Sequence, residues 1–240
     1  MDELSWERFE AEVARRGGAR CWWRDDDAAQ PDPALARLLA LSSSFRVPLA
    51  LAVVPLLAAG ELFDSLRDNV SVLQHGTDHR NRAAPGEKKT EYPAAEPDAA
   101  ALERIAAARS RLQQLAGARA LPVFVPPWNR IRPSLAGCLS KIGFQGLSCD
   151  AGAARVAGVE QVDTHIDIVA WREGRRFIGE DQALALALRH LAGGQPIGWL
   201  THHAVHDEQA WRFLERLLRV KGIRWAGAAE LFSYTAARHG

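Results

Sequence analysis

His75 and His79 stand four positions apart in Gln74-His75-Gly76-Thr77-Asp78-His79, directly after the apolar run Val70-Ser71-Val72-Leu73. Earlier in the chain, Asp25-Asp26-Asp27 follows a second apolar run, Cys21-Trp22-Trp23-Arg24. Imidazoles at this spacing share one side of a helical turn, about 5–6 Å apart at Cβ, so both can converge on one ion. Clustered carboxylates at the exit of a strand are costly unless a cation neutralises them. Two histidines and one carboxylate leave a fourth position for water or substrate, as catalytic rather than structural zinc requires. The chemistry these groups imply together is metal-dependent hydrolysis.

Positioning such groups takes a scaffold, and the hydropathy pattern supplies one. Short apolar runs predict strands over 19–24, 48–54, 69–74, 121–125, 144–148, 161–169, 196–200 and 223–225. Amphipathic stretches predict helices over 5–15, 33–43, 62–67, 98–115, 132–141, 181–191, 208–220 and 228–237. Regular alternation of this kind argues for parallel strands joined by crossover helices, closed into a barrel or doubly wound. The polar clusters at 25–27, 75–79, 128–130, 167–171 and 202–203 all fall at or just past the C-terminal ends of predicted strands. In a parallel α/β architecture those ends share one face, where active sites are built. The segment 80–97 carries no clear element and leaves directly from His79, which predicts a lid or a substrate wall.

With 240 residues and no repeat or linker, the chain is expected to form one domain over 1–240. Lys and Arg total 30 against 29 Asp and Glu, a net charge of +1, so no basic field for nucleic acid or an anionic membrane is present. No apolar run reaches the length of a membrane span and the N-terminus does not read as a signal peptide, so a cytoplasmic location is expected. Cys21, Cys138 and Cys149 lack metal-ligand spacing and read as reduced thiols. Among eight tryptophans, Trp128 and Trp171 fall at the active face, where they could stack on a sugar ring, whereas Trp6, Trp211 and Trp225 read as core.

These residues resemble, in order, the five motifs of the polysaccharide deacetylase family, carbohydrate esterase family 4, from about Cys21 to His203. The first motif, Thr-Phe-Asp-Asp-Gly, looks like Arg24-Asp25-Asp26-Asp27-Ala28, and His-x-x-x-His matches His75 and His79. The third resembles Val125-Pro126-Pro127-Trp128-Asn129, the fourth Asp167-Ile168-Val169-Ala170-Trp171, and the fifth, Leu-x-His, Leu200-Thr201-His202. The resemblance implies a distorted (β/α)7-8 barrel of α/β class. It also implies a divalent metal, zinc first with cobalt, nickel or manganese open, held by Asp27, His75 and His79. Asp26 is implied as catalytic base and His202 as general acid, with Pro127, Trp128, Asn129, Asp167, Trp171, Leu200 and His203 lining the substrate site. The implied reaction is hydrolysis of an N-acetyl group on an amino sugar or glycan precursor, releasing acetate and a free amine. A non-sugar amide or ester substrate, or a carbohydrate-binding barrel of little turnover, are the competing readings.

Two departures from the family pattern bear on the site. Val125 stands where the third motif carries an arginine that orients the base, which leaves Arg24, two residues from Asp26 on the same strand face, or Arg130 to do so. Ala28 replaces the first-motif glycine, where a left-handed turn would strain it, so the choice among the three aspartates stays open, with Asp25 as the spare. His202 and His206 repeat the four-residue spacing. His203 is expected to support the site or touch substrate, His206 to face water, and His165 to share a strand face with Asp167. Neither the ion's identity, the substrate nor the oligomeric state is encoded in these motifs.

Overall fold

The computed structural model describes residues 3–233. Helix α1 (Glu3–Arg15) leads into β1 (Ala19–Ala28), α2 (Pro33–Phe45), β2 (Leu49–Val53), α3 (Gly60–Asp64) and β3 (Val70–His75). After a long loop come α4 (Asp98–Ala116), β4 (Ala120–Val125), α5 (Pro133–Ala136), β5 (Gly146–Leu147), β6 (Glu160–Gln161), β7 (Ile166–Asp167), β8 (Val169–Ala170) and β9 (Arg176–Phe177). The chain continues through α6 (Glu180–Leu191), β10 (Ile197–Thr201), α7 (Glu208–Arg219), β11 (Ile223–Trp225) and α8 (Ala228–Leu231). Eight strands run parallel in the order β6-β5-β4-β3-β2-β1-β10-β7, β11 adds to β1, and the sheet curls into an incomplete barrel. Strands β8 and β9 form a separate antiparallel pair.

Both faces of the central strands are buried, which is why they read as continuous apolar runs rather than alternating ones. In β2, Leu49, Leu51 and Val53 pack outward against α2, α4 and α7, while Ala50 and Ala52 face inward with Trp22, Leu73, Val123 and Val125. A second outward core joins α1, α6 and α7 to β10 and β7 through Trp6, Phe9, Phe213, Ile197 and Trp199. Inside the barrel, Gly198 has no room for a side chain: a Cβ there would lie 2.5 Å from the Trp22 indole nitrogen. Asp32 and Asp207 cap α2 and α7 by accepting the N–H groups of Leu35 and Ala210.

Several elements differ from the sequence expectation. The first strand continues through the aspartates to Ala28, so the acidic triplet lies within the strand, not beyond its exit. The helix expected over 132–141 stops at Ala136 and resumes as a 3-10 turn, Leu139–Ile142, after Gly137 and Cys138. The strand expected over 161–169 is broken into β6, β7 and β8, with residues 162–165 turned aside by bonds from the Cys149 N–H to Asp163 and from the Gly198 N–H to His165 Nδ1. The last predicted helix, 228–237, is helical as far as Leu231 and partly outside the described residues. No helix among the described residues is long and apolar enough to cross a membrane.

Candidate metal and catalytic site

Inward positions of β1 begin with Trp22 and Arg24, and strict alternation would send only one of Asp26 and Asp27 to the same side. The register between β1 and β2 shifts between Asp25 and Ala28, and Asp27 takes a left-handed φ of 71°. This irregularity brings Asp27 to the site as well as Asp26. Positive φ therefore falls on Asp27, and Ala28 carries none of the strain that its replacement of glycine suggested.

The two histidines converge through a turn, not through a helix. His75 ends β3, and residues 76–79 turn with left-handed backbone at Gly76 (φ 58°) and His79 (φ 56°). Nε2 of His75 and Nε2 of His79 each lie 3.1 Å from Oδ1 of Asp27, and one donor atom from each of the three residues lies within 4.8 Å of the others. His75 Nδ1 lies 3.1 Å from the Val125 carbonyl, which can only accept, so Nδ1 carries the proton. With Nδ1 protonated, Nε2 is the ligand atom of the neutral ring, whereas in the imidazolium it donates to Asp27. Either a proton on Nε2 or a cation shared with Asp27 and His79 satisfies the 3.1 Å contact. A divalent ion with ligand bonds of about 2.0–2.2 Å satisfies all three groups at once. Burial alone would raise the Asp27 pKa, but the two imidazoles outweigh it and hold the carboxylate ionised.

Arg24 is fully buried and pairs with Asp26 side-on, Nε to Oδ1 at 2.8 Å and Nη2 donating to Oδ2 at 3.0 Å. Its remaining donors go to Asn129 Oδ1 at 2.8 Å, Ser148 Oγ at 2.7 Å and the Ser148 carbonyl at 3.1 Å. Of the two arginines proposed to restrain Asp26, Arg24 does so. Arg130 instead donates to the Lys89 carbonyl at 2.9 Å on the exposed loop. Asn129 thus sits behind Asp26 as a partner of Arg24, a role its place on the substrate wall did not suggest.

Asp25 is not spare. It is fully buried, accepts from the Thr201 hydroxyl at 2.6 Å and the His203 N–H at 3.0 Å, and pairs with His203 Nδ1 at 2.5 Å. Burial opposes the charge on His203, but Asp25 outweighs it and raises the His203 pKa. The pair ties β1 to β10 beside the residues that carry Asp26 and His202. His202 lies with Nδ1 3.7 Å from Asp167 Oδ1 and its ring edge-on to Trp171, centroids 4.7 Å apart. Asp167 accepts from the Trp171 indole at 2.7 Å and the Val169 N–H at 3.0 Å, and its pKa is raised by burial against those bonds and the His202 charge. Trp171 is 42% exposed, Leu200 is buried alongside Arg24, and Trp128 packs its ring 4.5 Å from His79 beside buried Pro127.

Two histidines fall elsewhere than expected. His165 stacks on His190, centroids 4.5 Å apart, in a cavity with Arg20, Gln195 and Glu230 near the N-terminal ends of β1 and β10, away from Asp167. His206 does not face water but packs on Trp211 at 4.6 Å, where burial pushes its pKa down to about 4. Sequence reasoning missed Ser148 and Glu91. Ser148 carried a weak signal, as a polar residue at a strand end, whereas Glu91 carried none. The loop holding Glu91 is tied down by Arg82 on Asp78 (2.7 Å) and Arg132 on the Tyr92 and Pro93 carbonyls (3.0 and 2.8 Å).

Neither family models nor curated proteins match this sequence. Solved structures do. A protein from Mycobacterium smegmatis assigned to the polysaccharide deacetylases superposes with a TM-score of 0.62 at 16% identity, covering 90% of each chain. A family 4 acetyl xylan esterase from Clostridium thermocellum, in complex with a cobalt ion, gives 0.57 at 17% identity, covering 89% of this chain and 90% of that one. A family 4 carbohydrate esterase from Streptomyces lividans, in complex with acetate, gives 0.55 at 16% identity, covering 86% and 90%. The chain therefore has the polysaccharide deacetylase fold, the distorted (β/α)7-8 barrel that the motif resemblance implied.

Proposed function

We propose that this protein is a metal-dependent deacetylase that hydrolyses the acetamide of an N-acetylated amino sugar. Asp27, His75 and His79 hold the ion, zinc on the chemistry of the donor set, though cobalt accompanies one structural neighbour. When bound, the cation supplies Lewis-acid polarisation and acidifies a water molecule. Asp26 takes the proton from the attacking water, and Arg24 holds its carboxylate in one orientation. The Trp128 N–H is the donor we assign to the developing oxyanion, since Pro127 has none to give. His202, whose Nδ1 lies 3.7 Å from Asp167, delivers a proton to the departing nitrogen, because an unprotonated amine anion is a very poor leaving group. Leu200 closes the acyl end of the pocket, and Trp171 presents an exposed indole on which a sugar ring can stack. The products are acetate and the free amino sugar.

The observation that carries this reading is the convergence of His75 Nε2 and His79 Nε2 on one Asp27 oxygen, each at 3.1 Å. Neighbours of the same fold include a peptidoglycan N-acetylglucosamine deacetylase and an acetyl xylan esterase, so the test must separate amide from ester. Zinc-loaded protein is incubated with N-acetylglucosamine oligomers and with acetylated xylan, and released acetate is measured. Acetate from the amide, lost by about 10²–10⁴-fold in Asp26→Asn, supports the proposal. Acetate from the ester alone changes the substrate class, and none from either refutes the enzyme.

A further inference from the structure

We propose that Glu91 is a positioning residue for the metal site: its carboxylate fixes the backbone turn that aims His75 and His79 at one cation. This rests on the metal-binding reading above. Glu91 lies in the long loop that follows His79, yet its side chain is fully buried. Both of its oxygens accept the Thr77 N–H at 3.1 Å, and Oε1 also accepts the Asp78 N–H at 2.9 Å. Thr77 and Asp78 are residues lying between the two histidines. Their successive N–H groups form a concave donor pair, which an anion fills. Left without an acceptor in the interior, those amides would be expensive, and the turn would reorganise to find other partners.

The surroundings reinforce the hold. Gly76 has no room for a side chain, since a Cβ would lie 2.1 Å from Glu91 Oε2 and 2.5 Å from the Pro127 ring. The carboxylate is thus packed against the backbone directly after His75. The neighbouring Tyr92 bonds the Thr77 hydroxyl at 2.9 Å, and the Thr77 carbonyl accepts from the Leu56 N–H at 3.1 Å. Arg82 and Arg104 place guanidinium nitrogens 3.7 and 3.9 Å from Oε1, compensating the buried charge. A hydrogen-bond partner that orients a ligand's own support typically changes metal affinity by about 10–100-fold when lost. Here one carboxylate orients the segment joining two ligands.

The test is a zinc titration against a chromophoric chelator, with thermal unfolding measured in parallel. Four proteins are compared: wild type, Glu91→Gln, Glu91→Asp and Leu112→Ala, the last a core truncation in α4. Glutamine keeps the shape but turns a donor toward the paired amides, and aspartate withdraws the carboxylate by one methylene. The expected result is a zinc Kd weakened about 10–100-fold in Glu91→Gln, and less in Glu91→Asp. Leu112→Ala should lose thermal stability and keep the wild-type Kd. If Glu91→Gln does not fold, Glu91→Asp decides. Wild-type affinity in the folded Glu91 variants, or an equal loss in Leu112→Ala, overturns the role of Glu91 alone. A wild type that binds no zinc overturns the metal site as well.

Discussion

The histidine turn and the His202 corner lie on the same face of the sheet, yet they are held in opposite ways. Around His75, Nδ1 is tied to Val125, Nε2 faces Asp27, and the amides of the turn are bound by a buried carboxylate. Around His202, Nδ1 stands 3.7 Å from Asp167, beyond hydrogen-bond distance, and its aromatic neighbour Trp171 is substantially exposed. A site that must hold a cation gains from rigid ligands, whereas a proton donor can tighten onto its partner when substrate closes the pocket. Asp26 belongs to the rigid half, through Arg24.

Breaking the rigid half should have the largest effects. Asp27→Ala removes the oxygen on which both imidazoles converge, and zinc affinity should fall by more than about 100-fold in a chelator competition. Arg24→Gln removes the guanidinium paired with buried Asp26, at a cost of about 3–5 kcal/mol in urea unfolding of the metal-free protein. Zinc affinity in that variant should persist while turnover falls, because Arg24 pairs with the proposed base, Asp26, and with none of the three proposed ligands.

The clamp between the halves, Asp25 with His203, should be visible in pH dependence. Burial works against the imidazolium, but Asp25 lifts the His203 pKa above its ordinary 6.5. A raised folded pKa contributes stability that is complete below about pH 6.5 and fades as pH rises through the folded value. Metal-free wild type should therefore lose stability as pH rises above about 6.5 relative to His203→Gln, whose profile should be flatter there. Parallel profiles would show that the pair is not charged. The smallest effect belongs to the open corner: Trp171→Ala should cost about 1 kcal/mol of substrate binding, a several-fold rise in KM, with zinc affinity unchanged.

How much of this was legible in the sequence depended on whether the signal was local. The succession of strands and helices and the shared C-terminal face followed from hydropathy alternation, because parallel strands buried on both sides leave long apolar runs such as 49–53. The convergence of Asp27 with His75 and His79 was implied by the motif resemblance, which left the choice among three aspartates open. The means of convergence was not: a helical turn was expected, and left-handed residues at Gly76 and His79 accomplish it instead. Arg24 could be named as a partner for Asp26 because two residues along a strand share a face. That Arg130 turns to Lys89, that Asp25 meets His203 across strands far apart in sequence, and that Glu91 reaches under the histidine turn all depend on tertiary contacts. No pattern in a single sequence encodes those.

The central claim is that three side chains share one divalent ion, and anomalous diffraction from crystals grown with zinc tests it most directly. The account predicts a single strong peak about 2.0–2.2 Å from Asp27 Oδ1, His75 Nε2 and His79 Nε2. A peak bound elsewhere, or none at these residues at saturating zinc, would contradict it.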